Sequence, residues 1–246
     1  MLLFPPSQPL RSPLRSPLRS PLHSPLSPPL RSPLRSPLLI ATHTDLHAWQ
    51  KLFRIFIDFP KPIVAAVNGP AIGAAVTSTV LMDRVISSES ATFSLPFARL
   101  SVPPEGCSSV TWPERLGEAN AQRMMGPEAW VPTAEEALAA GLIDEIVSGD
   151  DAGALEARAI AYTAERVASG IGRRFDAAEQ ARLIRVNAEE SAQLANAFVS
   201  PAFLSGMHKF NAGRKKAGIA NFFWLAKVSQ PLWRPAEIAP SYSDPS

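Results

Sequence analysis

The sequence predicts an α/β fold, and three features of the residue pattern indicate it. A helical spacing of apolar residues runs up to Pro60, where it stops. A continuous apolar run at 62–67 ends in a tight turn at Asn68-Gly69, which is typical of a buried strand. Small residues over 74–82 then predict a helix, and 84–87 predicts a second strand. Strand, tight turn and helix in this order form half of a βαβ unit.

The composition indicates a folded protein rather than a disordered or fibrous chain. The 246 residues are enough for one or at most two domains, and 46% of them are hydrophobic. The net charge of +2 is unevenly spread, because residues 1–40 contain five arginines and no acidic residue, so the remainder is mildly acidic. The folded part lacks the basic surplus of a nucleic-acid-binding domain, and we expect no nucleic-acid partner for it.

The cysteine content and the hydropathy pattern argue against three further classes of protein: disulfide-bonded, zinc-binding and membrane-spanning. The chain has one cysteine, Cys107, which excludes an intramolecular disulfide and fits a reducing compartment. The spacing of Cys107 and the four histidines does not match a zinc site, so we expect no metal. No run of eighteen apolar residues occurs, and no membrane-spanning helix is therefore expected.

The segment 11–38 consists of seven tetrads, five of which read Arg-Ser-Pro-Leu. A proline at every fourth position opposes both helix and central strand, so we expect an extended chain. Three functions compete for it: an organelle-targeting extension, an Arg-Ser tract that contacts RNA or is phosphorylated, and a linker. A fourth interpretation is a low-complexity run without a selected role.

Two groups in the α/β part carry candidate chemistry. The backbone N–H groups of Gly73 and Ala74 open a helix after a glycine-bearing turn, where such donors can stabilise an oxyanion. Glu105 is the one carboxylate in an uncharged stretch at 101–112, and partial burial would make it a general base for a carbon-bound proton. The alternatives are an ordinary strand-to-helix turn and a helix-capping or first-turn acid.

Several longer motifs resemble the enoyl-CoA hydratase/isomerase (crotonase) superfamily, and within it the peroxisomal-type Δ3,Δ2-enoyl-CoA isomerases. The similarity extends over about 180 residues, roughly 46–218. It is carried by the stretches 59–73, 83–93, 96–100, 104–109 and 134–147.

The resemblance implies a β-β-α superhelical core with a C-terminal helical region, assembled as a trimer or hexamer. It implies an acyl-CoA thioester as substrate, with no cofactor beyond the coenzyme A that the substrate carries. The two glutamates of the hydratases correspond to Thr77 and Phe97, so hydration is not expected. The isomerase glutamate corresponds to Glu105, which would move a proton from C2 to C4 through an enolate. Ala74 matches an oxyanion donor, and Pro96, Phe97 and Leu100 would line the acyl pocket.

The match begins after the segment in which the family has its first strands and its first oxyanion donor. In this sequence the tetrads occupy the place of that segment. Loss of one donor predicts a rate lower by about 10²–10³. We therefore expect four segments: a disordered repeat at 1–40, a partial crotonase core at 41–150, a helical region at 151–228 and an irregular tail at 229–246. Whether the chain is an active enzyme stays open. The alternatives are a crotonase-fold remnant that binds acyl-CoA or mediates oligomerisation, and an RNA-associated protein acting through the tetrads.

Two smaller features concern location and coenzyme A. The sequence ends in Ser-Asp-Pro-Ser and not in a Ser-Lys-Leu-type signal, so the peroxisome that the resemblance implies competes with mitochondrion and cytoplasm. A basic cluster of Lys209, Arg214, Lys215 and Lys216 either meets coenzyme A phosphates or forms a solvated face.

Overall fold

The computed structural model describes residues 37–149, 151–233 and 239–240. The predicted disordered repeat therefore lies outside the described residues, apart from its last four positions. Among the described residues, no helix combines the length and the apolar character that crossing a membrane requires.

The first helix, α1 (Pro37–Asp58), starts earlier than the sequence indicated. It includes the final Pro-Leu of the repeat, which the tetrad pattern predicted to be extended. Proline is tolerated in the first turn of a helix, where its missing N–H would have no partner, so the prediction for 37–40 is corrected. The helix buries Phe53 and Ile57 and packs on a C-terminal helix, α8 (Ala177–Phe198).

In the part of the chain that the structure describes, five short strands form two parallel sheets. The larger sheet has the order β1-β3-β5 and the smaller one pairs β2 with β4. The strands predicted at 62–67 and 84–87 are confirmed as β1 and β3, whereas the pairing of β2 with β4 was not expected. The bounds are β1 Val64–Val67, β2 Pro70–Ile72, β3 Arg84–Ser88, β4 Thr92–Ser94 and β5 Glu145–Val147.

The helix predicted over 74–82 is interrupted. An α-helical turn, α2 (Ala74–Thr77), passes into a 3-10 turn over Ser78–Leu81. The Thr79 hydroxyl donates to the Val76 carbonyl at 2.7 Å, a local side-chain bond that competes with regular helical pairing. This tightening ends the element one residue earlier than predicted and turns the chain into β3.

Among the residues described, four helices lie between β4 and β5 along the chain, and four more form the C-terminal region. The stretch 134–147, which helps to carry the family resemblance, forms α6 and β5, and Thr133 with Glu136 forms a capping box at the start of α6. The last helix extends beyond residue 228, so the expected irregular tail is corrected over 229–233. The bounds are α3 Phe97–Leu100, α4 Ser108–Leu116, α5 Glu118–Met125, α6 Ala134–Ala139, α7 Ala152–Ala168, α8 Ala177–Phe198, α9 Pro201–Gly213 and α10 Ala217–Trp233.

A buried ion pair fastens the loop before α8 to the sheet. Asp83, at the start of β3, pairs with Arg173, and both side chains are at most 5% exposed. Asp83 also accepts the backbone N–H of Ile63 at 2.8 Å and that of Arg174 at 2.6 Å. Arg173 donates to the carbonyl groups of Phe56 and Leu81 at 2.8 and 3.0 Å. The pair thus connects α1, β1, β3 and the entry to α8.

Candidate active site

Glu105 lies in the loop between α3 and α4 and is 6% exposed. The Thr77 hydroxyl donates to its Oε1 at 3.5 Å. Burial raises the pKa of Glu105 from 4.5 to about 7, the negative charge of Glu190 adds to this rise, and the Thr77 hydrogen bond acts against it. A carboxyl group with this pKa can both accept and release a proton near neutral pH.

A sharp turn directly after Glu105 directs its side chain inward. Gly106 and Cys107 both have left-handed backbone angles, with φ of 66° and 64°. Gly106 faces α1, because a side-chain carbon built there would lie 2.6 Å from Cε1 of Phe53. Only glycine meets both demands, positive φ and close approach to an aromatic ring.

The turn is held from α8 by a second buried carboxylate, Glu190, which is 3% exposed. Its Oε2 accepts the N–H of Cys107 at 2.6 Å and its Oε1 accepts the N–H of Ser109 at 2.9 Å. These N–H groups lie at the start of α4. The side chain of the helix's own N-cap residue, Cys107, accepts no hydrogen bond from them. The sequence alternative for Glu105, a capping acid of α4, is therefore wrong, since Glu190 fills that role.

Sequence reasoning missed Glu190. It is one of two adjacent glutamates in a polar helical stretch, with no local pattern that separates it from its exposed neighbour Glu189. The one available signal is that the first turn of α4 contains no acidic residue of its own.

The two predicted oxyanion donors behave differently. The Gly73 N–H donates to the Ser94 carbonyl at 2.9 Å, completing the β2-β4 pairing, so the prediction for Gly73 is corrected. Ala74 is the first residue of α2, and its N–H has no acceptor among the described residues. The Thr77 hydroxyl lies 3.4 Å from the Ala74 carbonyl as well as 3.5 Å from Glu105, so it links the first turn of α2 to Glu105.

The predicted acyl-pocket residues lie in and around α3. Pro96 caps the helix, Phe97 is buried in the hydrophobic core, and Leu100 ends the helix against Gly206 of α9. Three cavities of about 530, 660 and 530 Å³ lie among the described residues, and these three residues line none of them. One of the 530 Å³ cavities runs along β1 to Ala75, next to the predicted donor Ala74. The acyl-pocket assignment stays a prediction.

The basic cluster at the end of α9 is exposed. Lys209, Arg214, Lys215 and Lys216 all face solvent, and the Arg214 guanidinium lies 4.3 Å from the centre of the Phe210 ring. This exposure agrees with a solvated face, and a role toward coenzyme A stays a prediction.

Comparison with known proteins identifies the family. The sequence model described as Enoyl-CoA hydratase/isomerase matches residues 40–217, and the chain belongs to this family. The α/β fold class and its crotonase type, expected from the sequence, are confirmed by solved structures. An enoyl-CoA hydratase/isomerase from Pseudoalteromonas atlantica superposes with a TM-score of 0.57 at 26% identity, covering 66% of each chain. An enoyl-CoA hydratase from Mycobacterium avium subsp. paratuberculosis gives 0.58 at 27% identity, covering 68% of this chain and 70% of that one.

Curated relatives match a shorter stretch. Enoyl-CoA delta isomerase 2 of Rattus norvegicus is 50% identical over 99 residues, 39% of this chain and 25% of the relative. The peroxisomal Enoyl-CoA delta isomerase 3 of Mus musculus is 44% identical over 110 residues, 44% of this chain and 33% of the relative. Testis-specific chromodomain protein Y 1 of Homo sapiens is 43% identical over 91 residues, 37% of this chain and 17% of the relative. The chain thus spans at most a third of the length of these three relatives.

Proposed function

We propose that this protein is an enoyl-CoA isomerase that converts a 3-enoyl-CoA into the conjugated 2-enoyl-CoA. The observation that carries the proposal is Glu105, a buried carboxyl group with a pKa raised to about 7. Family membership and the similarity to proteins named enoyl-CoA delta isomerase support the substrate class.

One carboxyl group suffices for this reaction. Glu105 takes a proton from C2, next to the thioester carbonyl, and the electron pair moves into a dienolate. The same carboxyl group returns the proton at C4, the double bond moves from C3 to C2, and no net proton is gained or lost. A pKa near neutrality lets one group serve as base and then as acid.

The residues around Glu105 favour isomerisation over hydration. Hydration as the family's hydratases perform it needs two carboxyl groups, and at the matching positions this chain has Thr77 and Phe97. Neither side chain can transfer a proton as an acid at neutral pH. Thr77 instead donates a hydrogen bond to Glu105 and Phe97 packs in the core.

The enolate oxygen requires hydrogen-bond donors, and Ala74 provides one N–H at the start of α2. The Gly73 N–H is engaged by Ser94. If the one donor identified among the described residues acts alone, we expect a rate about 10²–10³ below that of a complete oxyanion hole, so sensitive detection is needed.

A second candidate function is an acyl-CoA-binding or oligomerisation module of the same fold. The exposed apolar face of α10 favours it, since such surfaces mark interaction sites. This face comprises Ile219, Phe222, Trp224, Leu225, Val228 and Leu232.

We also propose a place in the β-oxidation of fatty acids within peroxisomes, by analogy with the mouse relative whose name includes that organelle. Fluorescence microscopy of the tagged full chain beside a peroxisomal marker tests it. A diffuse or mitochondrial signal would contradict the location.

The deciding experiment follows absorbance of the conjugated thioester formed from a 3-enoyl-CoA by wild type and Glu105→Gln. Glutamine keeps the shape but cannot take the proton, so we expect the rate to fall by about 10²–10⁴. Glu118→Gln, an exposed glutamate on α5, is the matched control and should keep wild-type activity. A folded wild type that binds the thioester without turnover would favour the module.

A further inference from the structure

Glu190 is a buried carboxylate that the proton transfer itself does not use. It reaches the Glu105 loop from α8, and its bonds to the N–H groups of Cys107 and Ser109 span 83 and 81 residues of sequence. The two oxygens of one carboxylate therefore fix two N–H groups, two residues apart, in the turn that carries Glu105. Such a clamp limits the movement of a catalytic side chain.

Opposing influences act on the carboxyl group of Glu190. Burial raises its pKa above 4.5, and the hydrogen bonds from Ser109 and Cys107, at the positive end of α4, offset part of this rise. The negative charge of Glu190 opposes ionisation of Glu105.

The groups packed against the pair come from three elements. Thr77 of α2 donates to Glu105, and Phe53 of α1 closes the turn at Gly106. On α8 the titratable and charged groups that act on Glu190 or on the Cys107 thiol are Glu189, Arg182 and Glu179. Glu190 is the charged group that acts on Glu105 itself.

We propose that Glu190 is a positioning residue for Glu105: its two hydrogen bonds fix the Glu105 turn, and its negative charge makes Glu105 a stronger base. This inference rests on the isomerase function proposed above. It adds to that function a residue on a distant helix that governs the pH at which the base works.

Two variants separate the clamp from the charge. Glu190→Gln keeps the length and one acceptor oxygen but removes the charge. Glu190→Asp keeps the charge but is one methylene shorter, so it cannot reach both N–H groups. We expect Glu190→Gln to lower the pKa of Glu105 and Glu190→Asp to leave it raised.

The first measurement does not depend on turnover. Carbon-13 NMR of glutamate-labelled full chain follows the side-chain carboxyl titration, and Glu105→Gln identifies the Glu105 signal. Glu190→Gln should move that titration to lower pH, whereas the control Glu118→Gln, an exposed glutamate on α5, should not. An unchanged Glu105 titration in Glu190→Gln would overturn the proposal.

The second measurement is the pH profile of isomerisation. Because Glu105 must be ionised to take the proton, activity rises with pH through its pKa, and Glu190→Gln should shift this rise to lower pH with a reduced kcat. Glu190→Asp should reduce kcat with the rise in place. A lower kcat with an unmoved profile in both variants would indicate a structural role and overturn the charge argument.

The experiments distinguish failure of the isomerase proposal from failure of the inference about Glu190. If wild type gives no turnover, the isomerase function fails and the catalytic role of Glu190 fails with it. The NMR titration then still decides whether the two carboxyl groups are coupled. If wild type turns over and Glu190→Gln leaves titration and profile unchanged, only the inference about Glu190 is wrong.

Discussion

Gly106 and Phe53 are in such close contact that a methyl group on Gly106 would lie 2.6 Å from Cε1 of the ring. Carbon atoms in a packed core lie about 3.5–4.0 Å apart, so no side chain fits at this position without displacement of the Phe53 ring. The contact joins the turn after Glu105 to the first helix.

Gly106→Ala should therefore destabilise the fold and reduce activity. The left-handed backbone costs about 1–2 kcal/mol for a residue with a side chain, and the overlap with Phe53 adds about 1–3 kcal/mol. Urea unfolding measures the loss. Gly170→Ala is the matched control, because Gly170 has φ 67° with nothing within 4 Å and should carry only the backbone cost. If both variants lost the same free energy of unfolding, the Phe53 ring would move aside without a measurable cost.

Glu105 should make the protein less stable as pH rises. Its folded pKa of about 7 exceeds the ordinary 4.5, so the folded state binds the extra proton and its stabilisation is lost between these pH values. The difference corresponds to about 3 kcal/mol, fully lost above pH 7. Glu105→Gln should flatten this slope and be the more stable protein at pH 8. Parallel stability curves from pH 4.5 to 7 would contradict the raised pKa.

Thr77→Val should raise the pKa of Glu105 further, because the hydroxyl group favours the ionised carboxylate. The rise of isomerase activity should then move to higher pH. Thr79→Val is the control, since Thr79 donates to the Val76 carbonyl and has no bond to Glu105. A pH profile that moves equally in both variants would argue against a direct effect of Thr77.

Asp83→Ala should cost much more stability than removal of a surface acid. The substitution would leave Arg173 buried without its partner carboxylate, and we expect the free energy of unfolding to fall by about 3–5 kcal/mol. Asp58→Ala breaks the exposed pair with Arg54 and should cost about 0–1 kcal/mol. Thermal or urea unfolding of both variants gives the comparison. Similar small losses would mean that the buried pair is replaced by water or by other partners.

Local pattern was enough to locate the elements with strong periodicity. β1 and β3 follow from contiguous apolar runs and turn residues. β2 and β4 have three residues each and exist because they pair with each other, a contact that no window of sequence contains. The start of α1 was misplaced because the repeat pattern was extended over a proline that fits a first helical turn.

Local features of the sequence are enough to single out the candidate base and the candidate oxyanion donor. Glu105 stands alone in an uncharged, proline-bounded loop, and Ala74 opens a helix after a glycine turn, both local features of the chain. Only the tertiary structure decided the environment of these groups. It engages the Gly73 N–H with Ser94, sets the Thr77 hydroxyl on Glu105 and brings Glu190 to the same turn from 83 residues away. The reason is physical: the pKa of a carboxyl group depends on its burial and on nearby charges, and both arise when distant segments pack together.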